Sequence, residues 1–171
     1  KEIKEFAFAY TRYLENLTLP EGIKDIKAGT IGGEMYINGE FIGSSIVTLN
    51  IPDSVEIIRA QTLCYGHQGL IGFGGITALP NLTTLTIGQN SQLKTIESQA
   101  MVDLGVTTFF VPASVTNIGV FAISGPNMRA INVDPDNEYY ASFEGVLFNE
   151  DITELLLYPL AKPELNYTVP A

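Results

Sequence analysis

The sequence is poor in the residues that carry most metal and nucleophilic chemistry. Its 171 residues include one cysteine, Cys64, one histidine, His67, and no tryptophan. A lone cysteine excludes an internal disulfide framework and every multi-cysteine metal site. Cys64 and His67 stand three residues apart, a spacing that can begin a zinc site. Because the chain holds no second pair, a buried thiol beside a loop histidine is the favoured interpretation.

Charged residues are also scarce, at 16% of the chain, and they are unbalanced. Nine Lys and Arg against nineteen Asp and Glu give a net charge of −10. Such a field repels phosphate groups, so we expect neither nucleic acid nor an anionic membrane surface as a partner. No apolar run approaches the roughly 18 residues of a transmembrane helix, so we expect no membrane insertion of this segment. The apolar fraction of 46% excludes a disordered chain.

A repeat is the strongest feature of the sequence. Its pattern is an apolar residue, a variable one, a second apolar residue and then proline or another turn former. The six copies occupy residues 17–20, 49–52, 85–88, 109–112, 131–134 and 167–170. Successive copies start 22 to 36 residues apart, and the longer intervals indicate insertions in a unit of 22 to 24 residues. The pattern predicts one short strand in each unit, including a last one at 167–169.

Such a unit cannot bury the apolar face of a single short strand by itself. Side chains alternate along a strand, so Leu17 and Leu19 point the same way. Burying each is worth roughly 1.5–3 kcal/mol, which only stacking of successive units makes available. Proline lacks an N–H and ends the strands at one edge, and the returning segment forms the opposite wall. The sequence therefore predicts a parallel-stranded solenoid.

Residues 111–123, Val-Pro-Ala-Ser-Val-Thr-Asn-Ile-Gly-Val-Phe-Ala-Ile, resemble the repeat of the BspA-like leucine-rich-repeat family, and 51–55 and 3–8 match it over shorter spans. The resemblance implies a leucine-rich-repeat solenoid, a right-handed coil with a parallel β-sheet on one face and short helices or turns opposite. Residues 132–170 look like an inserted β-hairpin of this family near the C-terminus. We expect a single domain over residues 1–171, with about five to six irregular repeats, as a fragment of a longer chain.

The resemblance implies an extracellular or cell-surface location. It implies an interaction or adhesion module, on the cell surface or secreted, that binds a protein or glycan partner through its sheet face. It brings no cofactor and no catalytic residues. The alternative is a structural spacer with no ligand of its own. The least favoured hypothesis is an enzyme whose site is built from residues 29–46 and 65–80, which fit no repeat. The second of these stretches is glycine-rich but holds no phosphate-binding motif.

The candidate ligand-binding residues alternate with the core positions of the strands. Stacked about 4.8 Å apart, they would form a strip of Thr and Asn ending in one exposed ring. They are Asn50, Thr86, Thr108, Phe110 and Asn132. An exposed aromatic ring is a common anchor in interfaces, which favours Phe110. The other interpretation is that threonine simply suits exposed strand positions.

Residues 134–138, Asp-Pro-Asp-Asn-Glu, bring three carboxylates and an amide together. Oxygen-rich loops of this kind can bind calcium. A turn in which side chains bond the local backbone is the favoured alternative.

Apolar residues near the N-terminus follow a helical spacing, at positions 3, 6, 7, 10, 13, 14 and 17. The spacing predicts a helix over residues 2–13 that covers the first repeat.

Overall fold

The computed structural model describes residues 1–32, 35–37, 40–42, 44–63, 79 and 81–170, with the backbone alone at 35–37 and 40–42. This part of the chain forms fourteen short strands and no helix. The strands are β1 (Asn16–Thr18), β2 (Asp25–Ile26), β3 (Met35–Ile37), β4 (Glu40–Ile42), β5 (Thr48–Ile51), β6 (Ile57–Ile58), β7 (Thr84–Ile87), β8 (Thr95–Ile96), β9 (Thr108–Val111), β10 (Asn117–Ile118), β11 (Ala130–Val133), β12 (Tyr140–Phe143), β13 (Val146–Asn149) and β14 (Leu155–Leu157).

One strand of each repeat contributes to a parallel sheet face, as the repeat predicts. The strands β1, β5 and β7 pair in that order, and β9 pairs with β11. Their register follows the sequence pattern, with Leu17 beside Leu49, Leu49 beside Leu85, and Phe109 beside Ile131. The predicted strands that begin at 17, 49, 85, 109 and 131 are therefore confirmed within one residue.

A second parallel sheet, in the order β10–β8–β6–β2, forms the wall opposite the sheet face. Of the short helices or turns expected on this side, the described residues form turns and short strands but no helix. Each returning segment instead bonds to the coil before it: Glu56 N–H donates to Lys24 C=O at 2.8 Å, and Lys94 N–H to Glu56 C=O at 2.8 Å. A segment of about six residues gains more from such bonds than from a helix, whose first turn is costly to nucleate. No helix in the described ranges could cross a membrane.

The core lies between the sheet face and this wall. Leu49 and Ile131 enter it from the sheet face, and Val55, Ile58 and Ile96 from the wall, all fully buried. Because the buried residues form one cluster along the stack, each repeat depends on its neighbours for burial.

Each repeat places one residue of its turn in the left-handed backbone region. These residues are Phe6, Gly29, Gln61, Gln99 and Phe121, with φ between 52° and 65°. The turns stack, since Gly29 N–H donates to Gln61 C=O at 2.8 Å and Gln61 N–H to Gln99 C=O at 3.2 Å. The ring of Phe6 lies over Gly29, where a Cβ atom would come within 2.4 Å of it.

The prediction of a helix over residues 2–13 was wrong because this segment is the turn half of a repeat. Residues 5–10 form turns, and Phe6 and Tyr10 have positive φ angles, which a right-handed helix cannot contain. Phe8 N–H donates to Thr30 C=O of the next repeat at 2.8 Å. Of the positions that suggested a helix, Leu17 is buried and Ile3 and Leu14 pack against the core, whereas Phe6, Ala7 and Tyr13 are exposed.

An antiparallel insertion follows the last complete repeat, as the family resemblance implies. The strands β12, β13 and β14 pair in order, and β12 and β13 form the expected hairpin. The insertion also caps the repeat before it. The Tyr140 hydroxyl accepts the Ile118 N–H at 2.8 Å, and the buried Asn137 amide donates to Pro112 C=O and Val115 C=O at 2.8 and 3.0 Å. Here side chains of the insertion make the hydrogen bonds to the backbone of the last repeat that the backbone of a further coil would otherwise make.

The predicted strand at 167–169 does not form. The edge of β11 where it would pair is already used, because Ile131 N–H donates to Gly145 C=O at 2.8 Å and Val133 N–H to the Ser142 hydroxyl at 3.1 Å. Tyr167 instead packs edge-to-face against Tyr158, with ring centroids 5.1 Å apart.

Candidate functional site

The outward residues of the sheet face lie in the rows that the sequence predicts. Asn50 stands beside Thr86 on the neighbouring strand, and Phe110 stands beside Asn132. Asn50 is half-buried and its amide donates to the Thr18 hydroxyl at 3.2 Å. Thr86, Thr108, Phe110 and Asn132 are exposed. The face is thus polar, with one exposed phenylalanine ring.

The rows are interrupted, however, between β7 and β9. These two strands do not pair, although β8 and β10 of the same two repeats are paired in the opposite wall. The expected continuous strip is therefore two strips, one on β1–β5–β7 and one on β9–β11. The sheet face is open at one junction of an otherwise closed coil.

A cavity of about 170 Å³ fills this opening. We name it the β7–β9 slot; its lining is Leu85, Thr86, Ile87, Thr108, Phe109 and Phe110. Three of the five predicted site residues therefore border it, while Asn50 and Asn132 lie one strand away on either side. Phe110, 48% exposed, stands at its edge. None of the six lining side chains is an acid or a base, so the slot offers shape, apolar surface and hydroxyl groups rather than acid–base chemistry.

Backbone bonds that close the other sheet-face junctions are missing here. Val47 N–H donates to Glu15 C=O at 2.7 Å, Thr83 N–H to Val47 C=O at 3.0 Å, and Arg129 N–H to Thr107 C=O at 2.7 Å. The corresponding bond at the slot would join Thr107 N–H to Thr83 C=O, and these two described residues are not bonded. The strands β7 and β9 are therefore unpaired along their whole length, beginning with the residues directly before them.

Pro112 accounts for part of the opening. The residues that follow β7 and β11, Gly88 and Asp134, donate to the last carbonyl of the preceding strand at 3.3 and 2.9 Å. Pro112 follows β9 and has no N–H, so Ile87 C=O has no donor there. Pro52 stands in the same place after β5, whose pairing with β1 is intact. The missing donor therefore weakens the junction without opening it alone.

Sequence reasoning found the outward side chains of this site but missed the slot itself. Leu85, Ile87 and Phe109 were assigned to the core, and the structure leaves Leu85 and Ile87 half-buried. Pro112 by itself could not have indicated the slot, because Pro52 holds the same position beside the paired β1 and β5.

A larger, apolar cavity of about 630 Å³ lies between the last repeat and the C-terminal insertion. Its lining includes Phe121, Met128, Leu147, Leu157 and Leu160, and Phe121 is 70% exposed. No predicted site residue borders it. The signal for it in the sequence is the apolar run at 155–160, Leu-Leu-Leu-Tyr-Pro-Leu, directly after the hairpin.

The strongest electrostatic feature lies on the opposite wall, away from the slot. The Arg59 guanidinium bonds Asp25 and Glu97, each at 3.0 Å, and these carboxylates raise the pKa of Arg59, with the Asp25 bond the larger cause. The three residues come from three successive coils. Partly exposed ion pairs of this kind contribute modestly to stability, and here they connect three coils.

The structure places the acidic run at 134–138 in a turn. Asp136 N–H donates to the Asp134 carboxylate at 3.0 Å, and the Asn137 side chain bonds four backbone groups. The turn interpretation is therefore confirmed. Among the described residues, no three His, Cys, Asp or Glu side chains are grouped as metal ligands would be. Cys64 and His67, and all of the 65–80 insertion except Leu79, lie outside the described residues.

Stacked parallel strands, one per repeat of 22 to 36 residues, with a second wall of short strands, define a leucine-rich-repeat solenoid. The family model described as the BspA type leucine-rich-repeat region matches residues 1–68 and 73–155 in six copies. The chain therefore belongs to this family, which confirms the resemblance seen in the sequence. No curated protein matches it.

Solved structures that match this chain come from three bacteria. The pneumococcal vaccine antigen PcpA matches with a TM-score of 0.64 and 20% identity, over 98% of this chain and 44% of that one. A leucine-rich cell-surface protein of Faecalibacterium prausnitzii matches at 0.49 and 24%, over 67% and 27%. A leucine-rich-repeat protein of Eubacterium ventriosum matches at 0.43 and 19%, over 92% and 42%. The PcpA match shows the shared fold, and the chain spans less than half the length of each of these structures.

Proposed function

We propose that this chain is a cell-surface or secreted interaction module that binds a partner protein at the sheet face, with the β7–β9 slot at the centre of the site. The observation that carries the proposal is the interruption of the sheet beside the exposed Phe110 ring. An exposed aromatic next to an unfilled cavity is the arrangement of an interface anchor. The description of the pneumococcal relative as a vaccine antigen agrees with a location outside the cell.

A protein partner is favoured over a glycan by the lining of the slot. Phe110 is the only ring exposed there, and no charged or amide side chain lines the cavity to bond sugar hydroxyls. Backbone, hydroxyl and apolar surface suit a polypeptide better. The same lining gives no support to an enzymatic role for the slot.

The test is a binding screen of the purified chain against extracellular-matrix proteins and a glycan array, by surface plasmon resonance. We expect at least one protein to bind, and Phe110→Ala to weaken that binding by about tenfold or more, as the loss of an interface anchor does. Tyr13→Ala is the matched control, because Tyr13 is an aromatic residue 90% exposed outside the slot.

Two results would count against the proposal. Equal losses in Phe110→Ala and Tyr13→Ala would move the binding site away from the slot. An absence of binding to any member of both panels would favour the spacer interpretation, in which the solenoid only holds other parts of the protein apart.

A further inference from the structure

We propose that the β7–β9 slot receives one extended peptide strand of the partner, which completes the sheet by pairing with β7 on one side and β9 on the other. The inference rests on the proposed function and names the class of partner at that site. Three observations support it: the backbone groups that face the slot, the side chains around it, and the strand β5, which is itself paired on both edges.

The slot-facing edge of β7 carries unpaired backbone groups. Thr84 N–H donates to the carbonyl of Val47, the residue before β5, at 3.1 Å, and Gly88 N–H donates to the carbonyl of Ile51 in β5 at 3.3 Å. In a parallel ladder, alternate residues bond to opposite neighbours. Leu85 and Ile87 therefore direct their N–H and C=O groups into the slot, where no described residue pairs with them.

The slot-facing edge of β9 is unpaired in the same way. The carbonyls of Thr107 and Val111 accept N–H groups from β11 and the residue after it, at 3.4 and 2.9 Å. By the same alternation, Thr108 and Phe110 direct their N–H and C=O groups toward β7. Two rows of alternating donors and acceptors thus face each other across the opening.

Only another extended backbone satisfies both rows. A helix has already bonded its own N–H and C=O groups, and a glycan does not repeat donors and acceptors at the strand spacing. Pairing of an extended peptide with an exposed sheet edge is an established mode of recognition. Here two such edges face each other and are available to a single peptide strand.

The residues that line the slot determine which side chains the bound peptide should carry. Inward positions would meet Leu85, Ile87 and Phe109, so they should be apolar. Outward positions would lie between Thr86 and Phe110, so they should be polar and uncharged or basic, given the net charge of −10. The partner segment is thus an extended peptide of alternating apolar and polar residues.

The chain contains a suitable probe in its own sequence. The strand β5 has this alternation and pairs on both edges, with β1 and with β7. A fluorescent peptide of residues 46–52, Ile-Val-Thr-Leu-Asn-Ile-Pro, therefore carries a pattern that fits between two parallel strands of this sheet.

Amide hydrogen exchange of the free chain tests whether the slot is open. We expect the N–H groups of Leu85, Ile87, Thr108 and Phe110 to exchange about a hundredfold faster than that of Thr86, which faces β5. Adding the peptide should slow these four amides. Strong protection of all four in the free chain would mean that the junction is closed, and would overturn the inference.

Titration of the labelled peptide by fluorescence anisotropy tests insertion between two edges. Two further peptides carry a single backbone N-methyl group, one at the position of Leu49 and one at that of Asn50. Because adjacent residues of a strand bond to opposite neighbours, one peptide loses an N–H donor toward β7 and the other loses one toward β9. We expect each to bind about tenfold more weakly, the cost of about one backbone hydrogen bond. Weakening of only one would show addition to a single edge, and no binding of the parent peptide at millimolar concentration would refute the inference.

A pair of proline variants tests the location. Pro112→Ala restores a donor for Ile87 C=O and should favour closure of the slot, lowering the peptide affinity at least about threefold. Pro52→Ala, at the paired β1–β5 junction, should leave it unchanged. An equal effect of the two variants, or none from Pro112→Ala, would contradict the assignment of the peptide to the slot.

These outcomes separate the inference from the proposed function. A matrix protein that binds in a Phe110-dependent way while the peptide does not bind would leave the interaction module standing and remove the strand-insertion mode. A peptide that binds in the slot while the whole panel fails would support strand insertion and remove the panel as the source of the partner.

Discussion

Replacing Asn137 by alanine tests how the insertion closes the last repeat. Asn137 is 6% exposed, and its side chain makes four hydrogen bonds. Its amide donates to Pro112 C=O at 2.8 Å and to Val115 C=O at 3.0 Å, and its carbonyl accepts the N–H groups of Tyr139 and Tyr140, both at 2.8 Å. Alanine would leave all four backbone groups without this partner.

The expected cost follows from the number of bonds and their burial. A neutral hydrogen bond contributes about 0.5–1.5 kcal/mol net, and a buried group left unpaired costs about 1–3 kcal/mol. Some of the freed groups will reach water, so we expect Asn137→Ala to lower the free energy of unfolding by about 2–4 kcal/mol. Asn137→Asp should cost at least as much at neutral pH, because a carboxylate cannot donate to two carbonyls.

The assay is urea unfolding followed by circular dichroism, with Asn149→Ala as the matched control. The Asn149 side chain also bonds Thr153 and Glu154 of a turn, at 2.8 to 2.9 Å, but in an exposed position. We expect the control to lose less than about 1 kcal/mol. Losses that agree within about 0.5 kcal/mol would refute the reasoning, since burial would then not distinguish the two amides.

Three further predictions concern backbone conformation and charge. Gly29→Ala should lower the free energy of unfolding in urea by about 1–2 kcal/mol, because the residue has a φ of 65° and the new Cβ would meet the Phe6 ring. The same substitution should cost less in a Phe6→Ala background, and an equal cost would show that the ring contributes nothing to the loss. Burial raises the pKa of Asp103, so its carboxyl binds a proton more tightly in the folded than in the unfolded state. Asp103→Asn should therefore raise the free energy of unfolding in urea at pH 7 by less than about 1 kcal/mol, and the gain should vanish below about pH 4. Lys27 and, secondarily, Lys4 lower the pKa of Glu2 to about 2. The Glu2 carboxylate therefore contributes to folding stability above the unfolded-state pKa of about 4.3, and this contribution is lost as the pH falls toward 2. Lys27→Gln should raise the pKa of Glu2 measured by NMR titration.

The strands of the sheet face were predictable because each obeys a two-residue period next to a turn former. Leu49 and Phe109 were assigned inward and Thr86 and Phe110 outward, and the structure agrees. The repeat also supplied the register, since equivalent positions of successive units stand side by side. In a repeat protein, the position of a residue within its unit therefore also predicts which residue it contacts in the next unit.

The opposite wall and the ends of the stack were not predictable in this way. A wall strand such as Ile57–Ile58 has two residues, too few to show a period. Phe6 and Tyr10 have a helical spacing, but their positive φ angles come from stacking on the next repeat. Whether β7 meets β9 depends on contacts between units, so the slot has no signature within either strand.

The open junction also bears on how the solenoid responds to load. A stack of repeats under tension behaves as springs in series, and the most compliant junction takes most of the extension. The β1–β5 and β5–β7 junctions have backbone ladders on both sides of the coil, and the β9–β11 junction is held on its wall side by the Tyr140 and Asn137 side chains. The junction at the slot keeps the wall pair of β8 and β10 and a single bridge between Leu79 and Leu104. We therefore expect bending to concentrate there, widening or narrowing the opening as the ends move. A peptide strand bound between β7 and β9 would stiffen this junction, so peptide binding would reduce how far the solenoid bends or extends under load.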